Sequence, residues 1–344
     1  MSAFGGYGMG RRYRVVVTAP IREEGIRLLQ REAEVFVFSE PPRTEEELIE
    51  AVREADGLLV SLNVEPVTSK VIESAGKLRV IARHGIGYDN VDVQAATQRG
   101  IWVTIAPVSS ETVADMAFAH LLCLARKVHP ATQYIKSGKW VSRNPFLFMG
   151  FDVWGKTLGI IGLGRIGQAV ARRAKGFGMR VIYYDKVRRE NAERELGVEF
   201  HNLEYLLRES DFVTLHVPLT PETYHMIGER ELRMMKPTAI LVNTSRGAII
   251  DTQALAKALR EGWIAGAGLD VFEREPLPPD DPLLTLGDDV NLTMTPHIAS
   301  NTVECRVRLA VTAAEEILRV LHGEAPRFPV NPEVADVLKA RKMQ

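Results

Sequence analysis

Three side chains in the second half of the chain have the types and positions for acid–base and charge-stabilising chemistry. Arg246, Glu275 and His297 each stand at or just beyond the end of a short apolar run that is typical of a β-strand. Open α/β sheets bind ligands in the crevice outside the carboxyl ends of their strands, so these side chains are candidates for one site. Each residue alone also fits an ordinary role, as a surface arginine, a loop carboxylate or a structural histidine.

The chemistry that this set could perform is the reduction of a ketone. Hydride addition to a carbonyl carbon needs a proton donor that titrates near neutrality, and a histidine with a carboxylate partner provides one. The planar guanidinium of Arg246 could bind a carboxylate through two hydrogen bonds and polarise a neighbouring carbonyl oxygen. The set therefore predicts hydride transfer if the chain also binds a suitable cofactor.

A glycine-rich segment supplies that cofactor site. In the sequence LGIIGLGRIG, Gly162, Gly164 and Gly167 end a predicted strand and open a predicted helix. In this context the first glycine permits the tight turn, the second lets the backbone approach a pyrophosphate, and the third allows close packing of helix on strand. Arg165 and Ile166 begin the helix, whose N-terminal N–H groups favour an anion. The segment predicts a dinucleotide cofactor.

Asp185 bears on which dinucleotide is bound. It ends the next predicted strand, residues 180–184, where an acid is expected to bind the adenosine ribose of NAD. This position favours NAD over NADP. Alternatively, Asp185 only caps the following segment, and Lys186, Arg188 and Arg189 leave some room for a 2′-phosphate.

Alternating strand and helix patterns position these residues. Strands separated by crossover helices predict a parallel sheet with helices on both faces, and the first hundred residues look flavodoxin-like. The strands predicted there are residues 13–18, 34–38, 57–61, 79–82 and 101–104, with helices at 21–31 and 44–55.

A second series follows one long helix, predicted at residues 109–126, which contains no Gly or Pro. Six strands match the doubly wound Rossmann fold, and they are predicted at residues 157–162, 180–184, 212–217, 239–242, 265–270 and 291–295. A last helix, residues 302–321, is expected to return to the first domain. We predict a discontinuous substrate (catalytic) domain of residues 1–107 plus 299–335 and an NAD-binding domain of residues 108–298.

Composition excludes several classes of protein. The 344 residues have a formal net charge of -1 and 46% hydrophobic residues, which gives no basic surplus for nucleic acid. Cys123 and Cys305 have no metal-ligand spacing, and we expect no metal. The glycine-rich residues 1–12 lack a signal-peptide core, and no apolar run is long enough for a membrane span. We expect a cytoplasmic protein with a frayed start and, at residues 339–342, a solvated basic end.

These motifs together resemble the D-isomer-specific 2-hydroxyacid dehydrogenase family over nearly the whole chain. The matching segments are the glycine-rich turn, RHGIGYDNVD (83–92), HVPLT (216–220), NTSRG (243–247), DVFEREP (270–276) and TPH (295–297). The resemblance implies an NAD-dependent oxidoreductase acting on the CH–OH group of 2-hydroxy acids. It also implies a homodimer built largely on the cofactor domain.

The resemblance assigns roles to individual residues. It implies that Arg246, Glu275 and His297 are the catalytic set, with Arg246 also contacting the substrate. The substrate carboxylate is expected at the backbone amides of Ile86 and Gly87. Further cofactor contacts are implied at Val217, Pro218, Thr223, Thr244 and Asp270, the last facing the nicotinamide amide.

Several substrates remain open. Residues 123–140 resemble phosphoglycerate dehydrogenase, and Arg83 matches a phosphate-facing, substrate-binding arginine there. Ser61, however, stands where that enzyme usually has a second arginine, so 3-phosphoglycerate, hydroxypyruvate and glyoxylate stay level. Glu275 argues against the related formate dehydrogenases, which have glutamine there. A different class is also open, because residues 111–115 fit the NAD-sensing transcriptional corepressors of the same fold.

Overall fold

The structure is a computed structural model, and it describes residues 12–342. These residues form two compact units, 12–109 with 301–342 and 110–300. The predicted glycine-rich, frayed start lies outside the described residues except for Arg12. In the described part of the chain, no helix combines the length and apolar character needed to cross a bilayer.

The first unit contains a five-stranded parallel sheet in the order β2-β1-β3-β4-β5, which is the flavodoxin order. Two of its inner strands, residues 57–60 and 80–83, are buried along their whole length, as expected for a parallel sheet covered on both faces. The strands are β1 (Tyr13–Val17), β2 (Ala33–Val37), β3 (Gly57–Val60), β4 (Val80–Arg83) and β5 (Trp102–Thr104). The helices between them are α1 (Glu23–Gln30), α2 (Glu45–Val52), α3 (Ser69–Ser74) and α4 (Val93–Gln98).

The second unit contains a seven-stranded parallel sheet in the order β12-β11-β10-β9-β6-β7-β8. Its strands are β6 (Thr157–Ile161), β7 (Arg180–Tyr184), β8 (Glu199–Phe200), β9 (Phe212–Leu215), β10 (Ile240–Asn243), β11 (Gly266–Leu269) and β12 (Leu292–Met294). Its helices are α5 (Ser110–Ala125), α6 (Val128–Lys136), α7 (Arg165–Gly176), α8 (Glu190–Leu196), α9 (Leu203–Glu209), α10 (Glu229–Met234) and α11 (Thr252–Glu261).

The Rossmann architecture predicted for this unit is confirmed, but the count of six strands is wrong. β8 pairs with β7 through only two positions, so its run is too short to show a strand pattern in the sequence. It is nevertheless the third strand of the Rossmann order. The strand predicted near residues 291–295 is the seventh, added beside β11.

The chain returns to the first unit through α12 (Val303–Leu321) and ends in α13 (Val334–Lys342). One face of α12 packs on the first sheet through Ala313, Ala314 and Ile317. The Lys/Arg end predicted as solvated is the last turn of α13, and Arg341 there donates hydrogen bonds to the carbonyl oxygens of Arg99 and Gln98.

Candidate active site

The glycine-rich segment forms the turn between β6 and α7. Gly162 has a φ of +94°, in the left-handed region that favours glycine. A Cβ on Gly162 would lie 2.6 Å from the carbonyl oxygen of His216, and one on Gly167 would lie 2.1 Å from the carbonyl oxygen of Gly162. Gly164, in contrast, has no atom within 4 Å of its Cβ position. The turn is therefore tightly packed on one side and open at the start of α7, which fits a pyrophosphate.

Asp185 is the first residue after β7, and it is bonded to this turn. Its carboxylate accepts the N–H of Leu163 at 3.0 Å. Two of the neighbouring basic side chains are already paired with carboxylates, since Arg189 lies 3.6 Å from Asp185 and Arg188 lies 2.9 Å from Glu193. The acid predicted to bind the ribose therefore stands beside the glycine turn.

The remaining cofactor candidates follow the carboxyl ends of β9 and β10. A Cβ on Gly162 would meet the side chain of Val217 at 2.8 Å, so Val217 borders the glycine turn. The hydroxyl of Thr223 donates to the carbonyl oxygen of Pro218 at 2.6 Å and thus closes its own loop. The buried hydroxyl of Thr244 has no hydrogen-bond partner within residues 12–342. Such an orphaned group at the sheet edge fits a site that a ligand completes.

His297 and Glu275 form a bonded pair. The imidazole Nδ1 lies 2.7 Å from a carboxylate oxygen of Glu275, whose other oxygen accepts the N–H of Phe272 at 3.0 Å. His297 itself has a φ of +53°, which residues other than glycine rarely adopt. The carboxylate thus fixes the ring through one nitrogen and leaves the other, Nε2, for a reacting group.

Arg246 contributes charge to the same pair. Burial, the largest effect, acts to raise the pKa of Glu275, but the hydrogen bond and charge of His297, the Phe272 N–H and the charge of Arg246 prevail. The pKa of Glu275 is therefore lowered, and the carboxylate stays ionised. The guanidinium of Arg246 also donates to the carbonyl oxygen of Ser245 at 2.7 Å. Two of the residues selected from the sequence, Arg246 and His297, therefore both act on the third, Glu275.

Asp270 is fully buried below this cluster and holds the loop that carries the histidine. One oxygen accepts the hydroxyl of Thr295 at 2.6 Å and the N–H of Ile298 at 2.8 Å. The other accepts the N–H of Ala299 at 2.8 Å. The sequence indicated Asp270 only as a cofactor contact, and nothing in the sequence pairs its carboxylate with Thr295.

Arg83 in the first unit, whose guanidinium is predicted to face a substrate phosphate, is 3% exposed. It donates to the carbonyl oxygens of Gly87 at 2.7 Å and Val60 at 2.8 Å, and also to Leu62 and Asn63. Arg83 therefore braces the surrounding loops in this structure.

The hydrogen bonds of Arg83 do not involve the backbone N–H groups of Ile86 and Gly87. Neither N–H makes a hydrogen bond within residues 12–342, and both residues are half-buried. They follow β4 at the carboxyl edge of the first sheet, in a loop whose Gly85 carbonyl accepts the N–H of Ala106 at 2.8 Å. Two adjacent free amides held in a fixed loop suit a carboxylate.

The Rossmann sheet, the open glycine turn and the bonded histidine–carboxylate pair define a dinucleotide-dependent oxidoreductase. Comparisons with known proteins give the same class. The family described as "D-isomer specific 2-hydroxyacid dehydrogenase, NAD binding domain" matches residues 118–299. A glyoxylate reductase from Korarchaeum cryptofilum is 55% identical over 327 residues, which cover 94% of this chain and 97% of that protein.

Solved structures are similar over the same length. A crystal structure of a Thermus thermophilus protein has a TM-score of 0.84 at 44% identity. The match covers 92% of this chain and 99% of that protein's chain. A second match is an NADPH-dependent glyoxylate/hydroxypyruvate reductase from Sinorhizobium meliloti, in complex with NADP and malonate. Its TM-score is 0.83 at 32% identity, and the match covers 94% of this chain and 98% of that protein's chain.

The chain belongs to the D-isomer-specific 2-hydroxyacid dehydrogenase family. The predicted family and the predicted oxidoreductase activity on a hydroxy acid are thereby confirmed. The corepressor alternative is supported by none of the relatives named here.

Proposed function

We propose that this protein is an NAD-dependent D-2-hydroxyacid dehydrogenase that reduces glyoxylate or hydroxypyruvate. The observation that carries the proposal is the 2.7 Å contact between His297 and Glu275, with the charge of Arg246 acting on the same pair. The names of the relatives support the substrate class. In this proposal residues 1–107 plus 299–335 form the substrate domain, and residues 108–298 form the cofactor domain.

The chain's own residues supply the proton and hold the charges. Glu275 fixes the ring of His297 through Nδ1 and stabilises the imidazolium, so that Nε2 can give its proton to the carbonyl oxygen of the substrate. In the oxidation direction the neutral ring takes the proton back. Arg246 stabilises the negative charge that develops on that oxygen, an effect of about 2–4 kcal/mol for one preorganised charge stabiliser. When bound, the nicotinamide supplies the hydride that reaches C2.

The substrate is a small acid without a phosphate in this proposal. The free amides of Ile86 and Gly87 receive its carboxylate. The two positions considered for a phosphate are both engaged, because Arg83 donates to backbone carbonyls and Ser61 is buried with its hydroxyl donating to Ala19 at 2.9 Å. This disfavours 3-phosphoglycerate, the third substrate that the sequence left open.

NAD is the proposed cofactor, with NADP the alternative. Support comes from Asp185 beside the glycine turn, since a carboxylate accepts ribose hydroxyls and repels a 2′-phosphate. The pairing of Arg188 with Glu193 also withdraws one basic side chain from a phosphate. The Sinorhizobium meliloti relative is NADPH-dependent, so both cofactors have to be measured.

We also propose a cytoplasmic homodimer, assembled through residues 128–154 of the second unit. α6 has no buried residue, and large apolar side chains after it are exposed to solvent. The most exposed are Trp140, Val141, Phe146, Met149 and Trp154, from 58% to 89%. Several large exposed apolar side chains in one segment are typical of an interface, and a second copy would cover them.

The test is a substrate panel with both cofactors. Glyoxylate, hydroxypyruvate and 3-phosphohydroxypyruvate are each offered with NADH and with NADPH, and the loss of nicotinamide absorbance is followed. We expect the two unphosphorylated acids to be reduced, with a higher kcat/KM for NADH. Tight NADH binding with no turnover of any acid would contradict the enzyme assignment, whereas a preference for NADPH would overturn only the cofactor.

A further inference from the structure

A chain of buried hydrogen bonds connects α5 to the loop that carries His297. It begins at His120, which is 3% exposed and lies on α5. Its Nδ1 is 2.7 Å from the hydroxyl oxygen of Thr293, and its Nε2 is 3.1 Å from that of Thr295. Thr295 continues the chain to Asp270, at 2.6 Å. The proposed reaction does not use His120. A buried imidazole without hydrogen-bond partners would cost folding free energy.

The direction of each hydrogen bond follows from what the groups can donate. The Asp270 carboxylate accepts two backbone N–H groups, so Thr295 donates to it. The oxygen of Thr295 then accepts from His120 Nε2–H. In a neutral ring that proton is the only one, so Nδ1 accepts from the hydroxyl of Thr293. Burial, the larger effect, lowers the pKa of His120 and outweighs the opposite effect of Asp270, consistent with a neutral ring.

The chain of hydrogen bonds ends at the backbone around His297, the proposed proton donor. The Asp270 carboxylate holds the N–H groups of Ile298 and Ala299, and its own carbonyl oxygen accepts the N–H of His297 at 2.8 Å. The left-handed backbone of His297 is a conformation that the surrounding structure has to maintain. The hydrogen bonds of Asp270 are placed to maintain it.

Gly268 on β11 leaves space for the side chain of His120. A Cβ on Gly268 would lie 2.7 Å from the Cβ of His120, so a side chain there would displace α5 or the imidazole. A glycine in the interior of a strand weakens it unless another group approaches closely, and here that group is the histidine.

We propose that His120 and Thr295 are positioning residues for the acid–base histidine. Their buried hydrogen bonds fix the Asp270 carboxylate, and Asp270 in turn fixes the backbone on both sides of His297. This inference rests on the proposed function, in which His297 moves the proton. His120 touches neither substrate nor cofactor in this scheme and acts only through the chain of hydrogen bonds.

Two matched pairs of variants test the proposal. Thr295→Val removes the hydroxyl at constant shape, whereas Thr295→Ser keeps it. His120→Leu removes the Nε2 donor, whereas the amide nitrogen of His120→Gln can occupy nearly the same position. Thr157→Val is the control, because Thr157 begins β6 at the amino end of the strands and its hydroxyl makes no hydrogen bond within residues 12–342.

The measurements are kcat, KM, the isotope effect of a C4-deuterated cofactor, and thermal unfolding. We expect kcat to fall roughly 10- to 100-fold in Thr295→Val and His120→Leu, as for a small misplacement of a catalytic group. Cofactor KM should change little, and the isotope effect should rise because the chemical step becomes limiting. Thr295→Ser and His120→Gln should recover most of the kcat.

A purely structural role would lower the unfolding temperature and leave kcat and the isotope effect of the folded enzyme unchanged. That result in Thr295→Val, or in the His120 pair if Thr295→Val does not fold, overturns the proposal. The proposed function is checked separately with His297→Asn. If His297→Asn keeps full activity, the function assignment fails. If it is inactive while the Thr295 and His120 variants match the wild type, only the positioning role fails.

Discussion

At the scale of residues, the pair formed by His297 and Glu275 supports a direct prediction. His297→Asn removes the proton donor and keeps a similar volume, so kcat should fall by roughly 10²- to 10⁴-fold, the usual contribution of general acid–base catalysis. Cofactor affinity, measured by fluorescence titration, should stay near the wild-type value because the glycine turn is unchanged. Near-normal turnover would remove His297 from the mechanism.

The lowered pKa of Glu275 gives a prediction about pH. Its contribution to the pair is complete above the ordinary carboxyl value of 4.5 and is lost only as the pH falls through the lowered pKa. The carboxylate is therefore ionised wherever an imidazole titrates. In Glu275→Gln the imidazolium loses that support, and the decline of kcat/KM for reduction toward high pH should begin at a lower pH. An unchanged pH profile would contradict this coupling.

Asp185 provides the residue-level test of cofactor choice. Asp185→Ser removes the carboxylate that would repel a 2′-phosphate, so the ratio of kcat/KM for NADH to that for NADPH should fall by roughly 10-fold or more, the scale of one charged contact. Asp152, an exposed carboxylate before β6, offers a control in Asp152→Ser. An unchanged ratio in Asp185→Ser would mean that other groups set the cofactor preference.

Sheet topology explains why the candidate residues of the second unit could be selected from the sequence. Arg246, Glu275 and His297 follow strand ends, and the topology of a parallel sheet brings such ends to one edge. Arg83 also follows a strand pattern, yet its side chain turns inward to carbonyl oxygens 21 and 23 residues away in the chain. His120 sits in an apolar helix, where nothing local indicates its threonine partners. Long-range hydrogen bonds of this kind cannot be read from spacing.

At the scale of elements, periodicity predicted most strands and the two long helices. The errors fall on the shortest and the most irregular pieces. β8 has two residues and no pattern, and α6 has no buried residue and carries Pro130 in its first turn. The solvated end predicted at residues 339–342 is exposed at residues 339–341, but these residues belong to α13, whose Arg341 is hydrogen-bonded to residues 98 and 99.

The contact between α1 and α12 can be tested at Gly25. Alanine should gain about 1 kcal/mol from helix propensity, but its Cβ would lie 2.6 Å from the carbonyl oxygen of Ala310, and overpacking costs about 1–3 kcal/mol. We expect Gly25→Ala to lower the unfolding temperature. Gly76→Ala, with no atom within 4 Å of the new Cβ, is the control and should be neutral. A stabilised Gly25→Ala would show that the helices can separate at little cost.

At the scale of the whole molecule, the exposed apolar surface of residues 128–154 predicts self-association. Val141 is 89% exposed and Phe146 is 76% exposed. The double variant Val141→Asp, Phe146→Glu should shift the mass measured by light scattering from a dimer to a monomer. Phe36→Glu, which changes a 56% exposed aromatic on β2, should leave the mass unaltered. A monomeric wild type would overturn the proposed homodimer.

The discontinuous first unit has a consequence for how the polypeptide is made. The ribosome synthesises β1 to β5 first. Val15 and Val17 on that sheet, however, pack against Ala313 and Ile317 of α12, which is synthesised much later. Residues 110–300 are contiguous and can complete their fold while α12 is still inside the ribosome. The nascent chain therefore presents one apolar sheet face, covered only in part by α1, throughout the synthesis of nearly 200 further residues. That interval is when the newborn protein most needs a chaperone.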